Sequence, residues 1–123
     1  MATHENLEIW KQSIDFVTEI YSVTKNYPAG EKFGIVSQMR RAAVSIPSNI
    51  AEGAARNSDK EFLYFLHIAL GSLSELDTQL LISKNLNFCD TSELRQKLKE
   101  IKIKLINYIK YIKSLQKKSG NRK

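Results

Sequence analysis

Gln38-Met39-Arg40-Arg41-Ala42-Ala43-Val44-Ser45-Ile46-Pro47-Ser48-Asn49-Ile50-Ala51-Glu52-Gly53 is the stretch on which the fold turns. With Val36 ahead of it, the apolar residues Val36, Met39, Ala43, Ile46 and Ile50 recur in steps of three, four, three and four. Side chains at that spacing share one face of an α-helix. Pro47 sits inside the run. It has no N–H, so the Ala43 carbonyl loses its helical donor, and the chain there must kink or restart with Ser45 as a cap. The apolar rhythm keeps its phase across the proline. The reading is therefore one long helix from about Glu31, kinked at Pro47.

The flanking segments read the same way. Asn6 to about Asn26 carries Trp10, Ile14, Val17 and Tyr21 on one face, with Asn6 as N-cap and Pro28 and Gly30 as breakers. Ser58-Asp59-Lys60-Glu61 is a capping box, in which Ser58 accepts from the Glu61 N–H while Glu61 reaches back. Phe62, Leu66, Ala69, Leu73, Leu76 and Leu80 then form the third stripe. Phe65, Leu70 and Ile82 widen it, as a helix with more than one neighbour requires. A short loop from Asn85 leads to a second cap signature, Asp90 with Glu93. Leu94, Leu98, Ile101, Leu105, Tyr108, Ile112 and Leu115 then make a heptad seam ending near Lys117. Ile103, Ile106 and Ile109 lie off that seam and need cover of their own. No segment alternates with period two. The sum is all-α: an up-down-up-down four-helix bundle in one domain, residues 1–123, with 117–123 a basic flexible tail.

Composition agrees. A chain of 123 residues is long enough to bury a core, and two prolines and five glycines leave little room for a turn-rich β fold. The single cysteine, Cys89, excludes an internal disulfide and fits a reducing cytoplasm. Glu5 and Glu8 speak against a signal peptide, and no apolar run approaches the roughly 20 residues that span a bilayer. The basic fourth helix could lie on a membrane surface, but its seam matches the other helices, so a bundle core explains it better.

Charge is unevenly spread. From Thr91 to Lys123, nine Lys and two Arg face two Glu, a net of +9, whereas the first 90 residues carry eight basic and eleven acidic side chains, a net of −3. That asymmetry points to an anionic partner, or to the acidic part of another copy. Lys97, Lys99, Lys102, Lys104, Lys110, Lys113, Lys117 and Lys118 are either a solvated face or a phosphate-binding surface. Tyr108 reads as core. Tyr111 could stack on a base or sit half-buried at an interface.

On the second helix Arg41, Ser45, Asn49, Glu52 and Arg56 form a polar ridge. In one reading Arg40, Arg41 and Arg56 contact phosphates and Asn49 adds hydrogen bonds. In the other the ridge is a structural network in which Glu52 holds an arginine within or between subunits. Gly53 and Gly71 stand where a helix prefers alanine, at a cost of roughly 0.5–1 kcal/mol each. Close helix approach is the expected reason, a ligand pocket the sharper alternative.

Catalysis finds no constellation. His4 and His67 have no second ligand at a metal spacing, Cys89 has no patterned histidine partner, and Ser45 and Ser48 lack a recognisable base. Glu75 and Asp77, two apart, do not share a helix face. Neither metal nor cofactor is expected.

Gln38 to Gly53 closely resembles the signature of the bacterial four-helix-bundle proteins encoded in 23S ribosomal RNA intervening sequences, also described as ribosomal-protein-like. Leu7, Trp10, Pro28 and Glu31 resemble that family's first helix and turn. Phe62, Phe65, Leu66, Ala69, Gly71, Ser72, Glu75 and Leu76 resemble its third helix. The likeness covers nearly the whole chain and is weakest in the fourth helix. It implies a protomer that assembles as a homopentamer around a central channel. It also implies relatedness to the accessory variability protein of diversity-generating retroelements, which binds nucleic acid and a reverse transcriptase. It brings no catalytic residues. The expectation is a non-enzymatic, oligomeric, RNA-associated bundle that binds through Arg40, Arg41, Arg56 and the fourth-helix lysines. The alternative is a protein-interaction ring that binds no nucleic acid.

Overall fold

The computed structural model describes residues 4–121. A 3-10 turn (His4–Asn6) leads into α1 (Glu8–Thr24). A second 3-10 turn (Ala29–Glu31) and a π-helical turn (Lys32–Val36) lead into α2 (Ser37–Ala54). The chain continues as α3 (Asp59–Asn85) and α4 (Ser92–Asn121). Each helix packs on its neighbours in sequence, and α1 meets α4, which closes the bundle and leaves α2 and α4 across the diagonal. Contacts join late residues of one helix to early residues of another: Arg40 to Thr24, Arg95 to Asp77, Lys97 to Glu19. Antiparallel neighbours require that pattern.

The second helix follows its sequence pattern. Val36, Met39, Ala43, Ile46 and Ile50 are all buried. Helix α2 runs as one element through Pro47, which is itself buried. The recorded departure from helical geometry lies earlier, at Gly34 (φ −106°, ψ −115°), inside the π-helical turn.

The most extensive helix–helix contact in the fold joins α2 to α3. Gly53 is buried in it. A Cβ at Gly53 would stand 2.8 Å from Phe65 Cβ and 2.9 Å from Phe62 Cδ1. Gly53 is thus a close-approach glycine. Gly71 is not, contrary to expectation: it is exposed, and a Cβ there would meet nothing within 4 Å.

The α1 face corrects the sequence reading. Ile9, Ser13, Phe16, Ile20 and Thr24 are the buried residues, while Ile14 and Tyr21 are 40% and 39% exposed. Two hydroxyl residues hid this face. Ser13 donates to the Ile9 carbonyl (2.6 Å) and Thr24 to the Ile20 carbonyl (2.7 Å), so each is satisfied within its own helix and can be buried. The N-cap position belongs to Leu7, which makes no side-chain cap bond, and not to Asn6.

Capping at the other helices follows in part. The Glu61 N–H donates to Ser58 Oγ (3.2 Å) as expected, but the Glu61 carboxylate accepts from the Ser58 hydroxyl instead of reaching the backbone. At α4 the Ser92 N–H donates to Asp90 Oδ1 (3.1 Å), with no reciprocal bond from Glu93. Hydrogen bonding to Ser92 holds the Asp90 carboxyl below the usual carboxylate range. Thr91 is buried and donates to the Leu80 carbonyl (2.8 Å), pinning the α3–α4 loop. Along α4, Leu94, Leu98, Ile101, Leu105 and Ile112 are buried as the seam requires, and Ile109 joins them instead of standing apart. Tyr108 and Leu115 pack at the core's edge. The helix continues to Asn121; Arg122 and Lys123, the end of the tail expected to be flexible, lie outside the described residues.

The two glycines make opposite predictions. Gly53→Ala should lower stability by about 1–3 kcal/mol, because Phe62 and Phe65 must shift to admit the methyl. Gly71→Ala should raise it by about 0.5–1 kcal/mol through helix propensity alone. Urea denaturation of both variants checks this; a stabilised Gly53→Ala would contradict the packing described.

Candidate nucleic-acid interface

Lys99, Lys104, Lys110, Lys113, Lys117 and Lys118 are exposed, and Lys102 is half-buried. Among the described residues none of these seven makes an ion pair. They do not spread evenly around the helix. Arg95, Lys99, Lys102, Ile106, Lys110, Lys113 and Lys117 step four, three, four, four, three and four. That rhythm puts them on one edge of α4. It is the edge beside α3, because Arg95 Nε donates to Asp77 Oδ1 at 3.0 Å. At 1.5 Å per residue the ridge is about 33 Å long. Asp77, Arg95, Lys99, Lys102, Ile103 and Ile106 help line an open groove of about 630 Å³ along its first half.

Lys97, Lys104 and Lys118 lie on the other side of α4. Lys97 is spoken for: its Nζ lies 2.5 Å from Glu19 Oε1 on α1 and 3.9 Å from Glu93 Oε1. The hydrogen bond to Glu19 holds its pKa above the ordinary lysine value. Tyr108 packs edge-on against Phe62 (5.8 Å between centroids), and burial pushes its hydroxyl pKa up. Tyr111 beside it is 55% exposed.

The α2 arginines do not join this ridge, since α2 stands across the diagonal. Arg40 clamps the end of α1. Its Nε donates to Thr24 Oγ1 (3.0 Å), its Nη2 to the Tyr21 carbonyl (3.3 Å), and its guanidinium lies 4.5 Å from the Tyr21 ring centre. Those bonds sit at a helix C-terminus, where positive charge is favoured; the Tyr21 carbonyl also accepts from the Lys25 N–H. Arg56 pairs with Glu52 one turn back and lies 5.0 Å from the Phe65 ring centre. Ser45 Oγ is 2.8 Å from Ser72 Oγ on α3, and Asn49 Nδ2 donates to the Ser45 carbonyl (2.8 Å) and hydroxyl (2.9 Å). The ridge Ser45–Asn49–Glu52–Arg56 is thus the network of the α2–α3 seam. Arg41 is exposed, and among the described residues it makes no ion pair.

Sequence reasoning missed Phe33, which is 90% exposed in the π-helical turn. Phe33 stands three residues before Val36, a helical step, so spacing alone would place it on the buried face; the non-helical backbone at Gly34 between them breaks that register.

The geometry defines an all-α four-helix-bundle protein with a lysine ridge on its last helix. The chain belongs to the 23S rRNA-intervening sequence protein family, whose model matches residues 5–112. It is similar to a crystal structure from Bacteroides thetaiotaomicron, a protein with unknown function from the S23 ribosomal protein family. That likeness has a TM-score of 0.76 and 25% identity, covering 83% of this chain and 95% of the other. The comparison with curated proteins gives no match. The family match ends at Ile112, so the last lysines of the ridge, Lys113 and Lys117, lie beyond it. Among the described residues no helix is long and apolar enough to cross a membrane.

The arginine clamp is testable. Arg40→Ala should lower stability by about 1 kcal/mol, because a charge-assisted bond to Thr24 and another to a helix-end carbonyl are lost. Arg41→Ala should stay within about 0.5 kcal/mol of the parent, as exposed substitutions do. Urea midpoints distinguish the two, and equal losses would argue against a clamp.

Proposed function

We propose that this protein is a non-enzymatic, oligomeric RNA-associated bundle that holds the phosphate backbone along the α4 ridge. The observation that carries this reading is the row Lys99, Lys102, Lys110, Lys113 and Lys117, aligned on one edge and free of intramolecular ion pairs among the described residues. Aligned cations three and four residues apart suit a linear polyanion, and phosphate contacts of this kind carry no base readout. Structured RNA is the proposed class, in keeping with the family's tie to 23S ribosomal RNA.

Self-association belongs to the same proposal. Ile68, Leu81, Ile82, Leu86 and Ile103 leave 36–55% of their surfaces exposed on α3, α4 and the loop between them. Apolar surface of that extent favours burial against another copy. The family resemblance implies a pentamer, and a closed ring would repeat the ridge and strengthen binding through avidity.

Binding of a labelled structured RNA, followed by fluorescence anisotropy, should fall tenfold or more between roughly 50 and 200 mM salt, through counterion release. Charge reversal at Lys99 and Lys102 should weaken binding more than reversal at Lys104, which lies off the ridge, with the oligomer mass unchanged. Salt-independent binding, or no binding at the lower salt, would remove this reading.

A protein-interaction ring is the second reading. Ile103, 50% exposed, and Ile106 sit among the groove lysines, as an acidic amphipathic partner would need. Light-scattering mass at low and high salt discriminates: if the lysines are satisfied by another copy, salt loosens the oligomer.

A further inference from the structure

We propose that the corner between α1 and α2 is a second nucleic-acid site, one that takes an unpaired nucleotide by stacking its base on Phe33. The inference rests on the RNA-associated reading above but uses different residues on a different side of the bundle.

Phe33 is the most exposed large apolar side chain described, at 90%. Displaying a phenyl ring to water forgoes the gain of burying it, and here the bare ring is grouped with Tyr21 and Val44, each 39% exposed. It is presented by the π-helical turn, one residue before the backbone leaves helical geometry at Gly34. The ring helps line an open groove of about 480 Å³, with Tyr21, Lys32, Arg40, Arg41 and Val44 among others. All the charged side chains lining it are cationic. Lys32 Nζ lies 5.5 Å from the Phe33 ring centre, and Arg40 lies over Tyr21.

An exposed ring within a cluster of cations is the arrangement by which proteins hold single strands. The base stacks on the aromatic face, and the phosphates meet the charges. Arg41 and Lys32 are the free phosphate partners, because Arg40 is already committed to α1. A second copy of this chain fits less well. By itself the Phe33, Tyr21 and Val44 patch is smaller than the roughly 800 Å² per partner of a stable interface; in a ring it could only be part of a heterologous contact, which the mass measurement below detects.

The test uses the full chain with fluorescein-labelled oligouridine and an RNA duplex of equal length, at roughly 50 mM salt. Phe33→Ala should cost about tenfold in affinity for the single strand and leave duplex binding unchanged. Phe33→Trp should retain binding, and Phe33→Leu should not. Charge reversal at Lys99 and Lys102 should weaken both ligands. If the parent binds RNA and Phe33→Ala binds the single strand equally well, the stacking site is wrong and the ridge reading stands. If the parent binds neither RNA, both fail together. If Phe33→Ala changes the light-scattering mass, the corner is a contact between copies and the proposal is overturned.

Discussion

The α2–α3 approach is the constraint on which the rest of the bundle depends. Gly53 admits Phe62 and Phe65 to within a methyl group's reach. With so little room between them, these helices interlock through small polar groups at the rim, Ser45 against Ser72 with Asn49 behind. A helix pinned this way has a fixed rotation. Fixing it sets Arg40, near the start of α2, over the end of α1 and Arg56, just past the C-terminus of α2, over Phe65. The polar ridge of α2 from Ser45 onward is therefore consumed by packing, while Arg41 and most of the α4 lysines make no ion pair among the described residues.

The sequence made α2, α3 and α4 legible because their buried faces are apolar nearly throughout, so period and burial coincide. Helix α1 was legible in its extent, and Trp10 and Val17 do pack against the core, but its most buried row was not, for a physical reason. It carries two apolar rows one position apart: Ile9, Phe16 and Ile20, and Trp10, Ile14, Val17 and Tyr21. The row that enters the core is the one containing Ser13 and Thr24. Hydropathy counts those hydroxyls against burial, but in a helix each can donate to the carbonyl one turn back, which removes most of the cost. Gly71 failed in the opposite direction. A helical glycine signals close approach only when a neighbour fills the missing Cβ, and the neighbour is invisible in one dimension.

The candidate interface was legible in composition but not in arrangement. The count of lysines gave a charged α4, and their exposure agrees. Which of them share an edge depends on which edge faces α3, and the Arg95–Asp77 pair fixes that only in three dimensions. Lys97 reads like its neighbours in sequence, yet Glu19, 78 residues away, engages it. Phe33 escaped because its spacing of three from Val36 reads as helical, whereas the backbone at Gly34 departs from helical geometry and the ring is left exposed.

Charge and assembly are coupled in the proposed ring. Each copy brings a net +6, concentrated on α4, while apolar side chains on α3 and α4 favour bringing copies together. Hydrophobic burial and like-charge repulsion thus oppose one another on neighbouring surfaces, and repulsion grows with every copy added. A polyanion lying along the lysines removes that repulsion. Whatever binds the assembled state in preference to the separate chains must also stabilise it, by linkage. Under the proposed function, then, RNA binding and oligomerisation reinforce each other. In that proposal the basic last helix is what links assembly to the ligand.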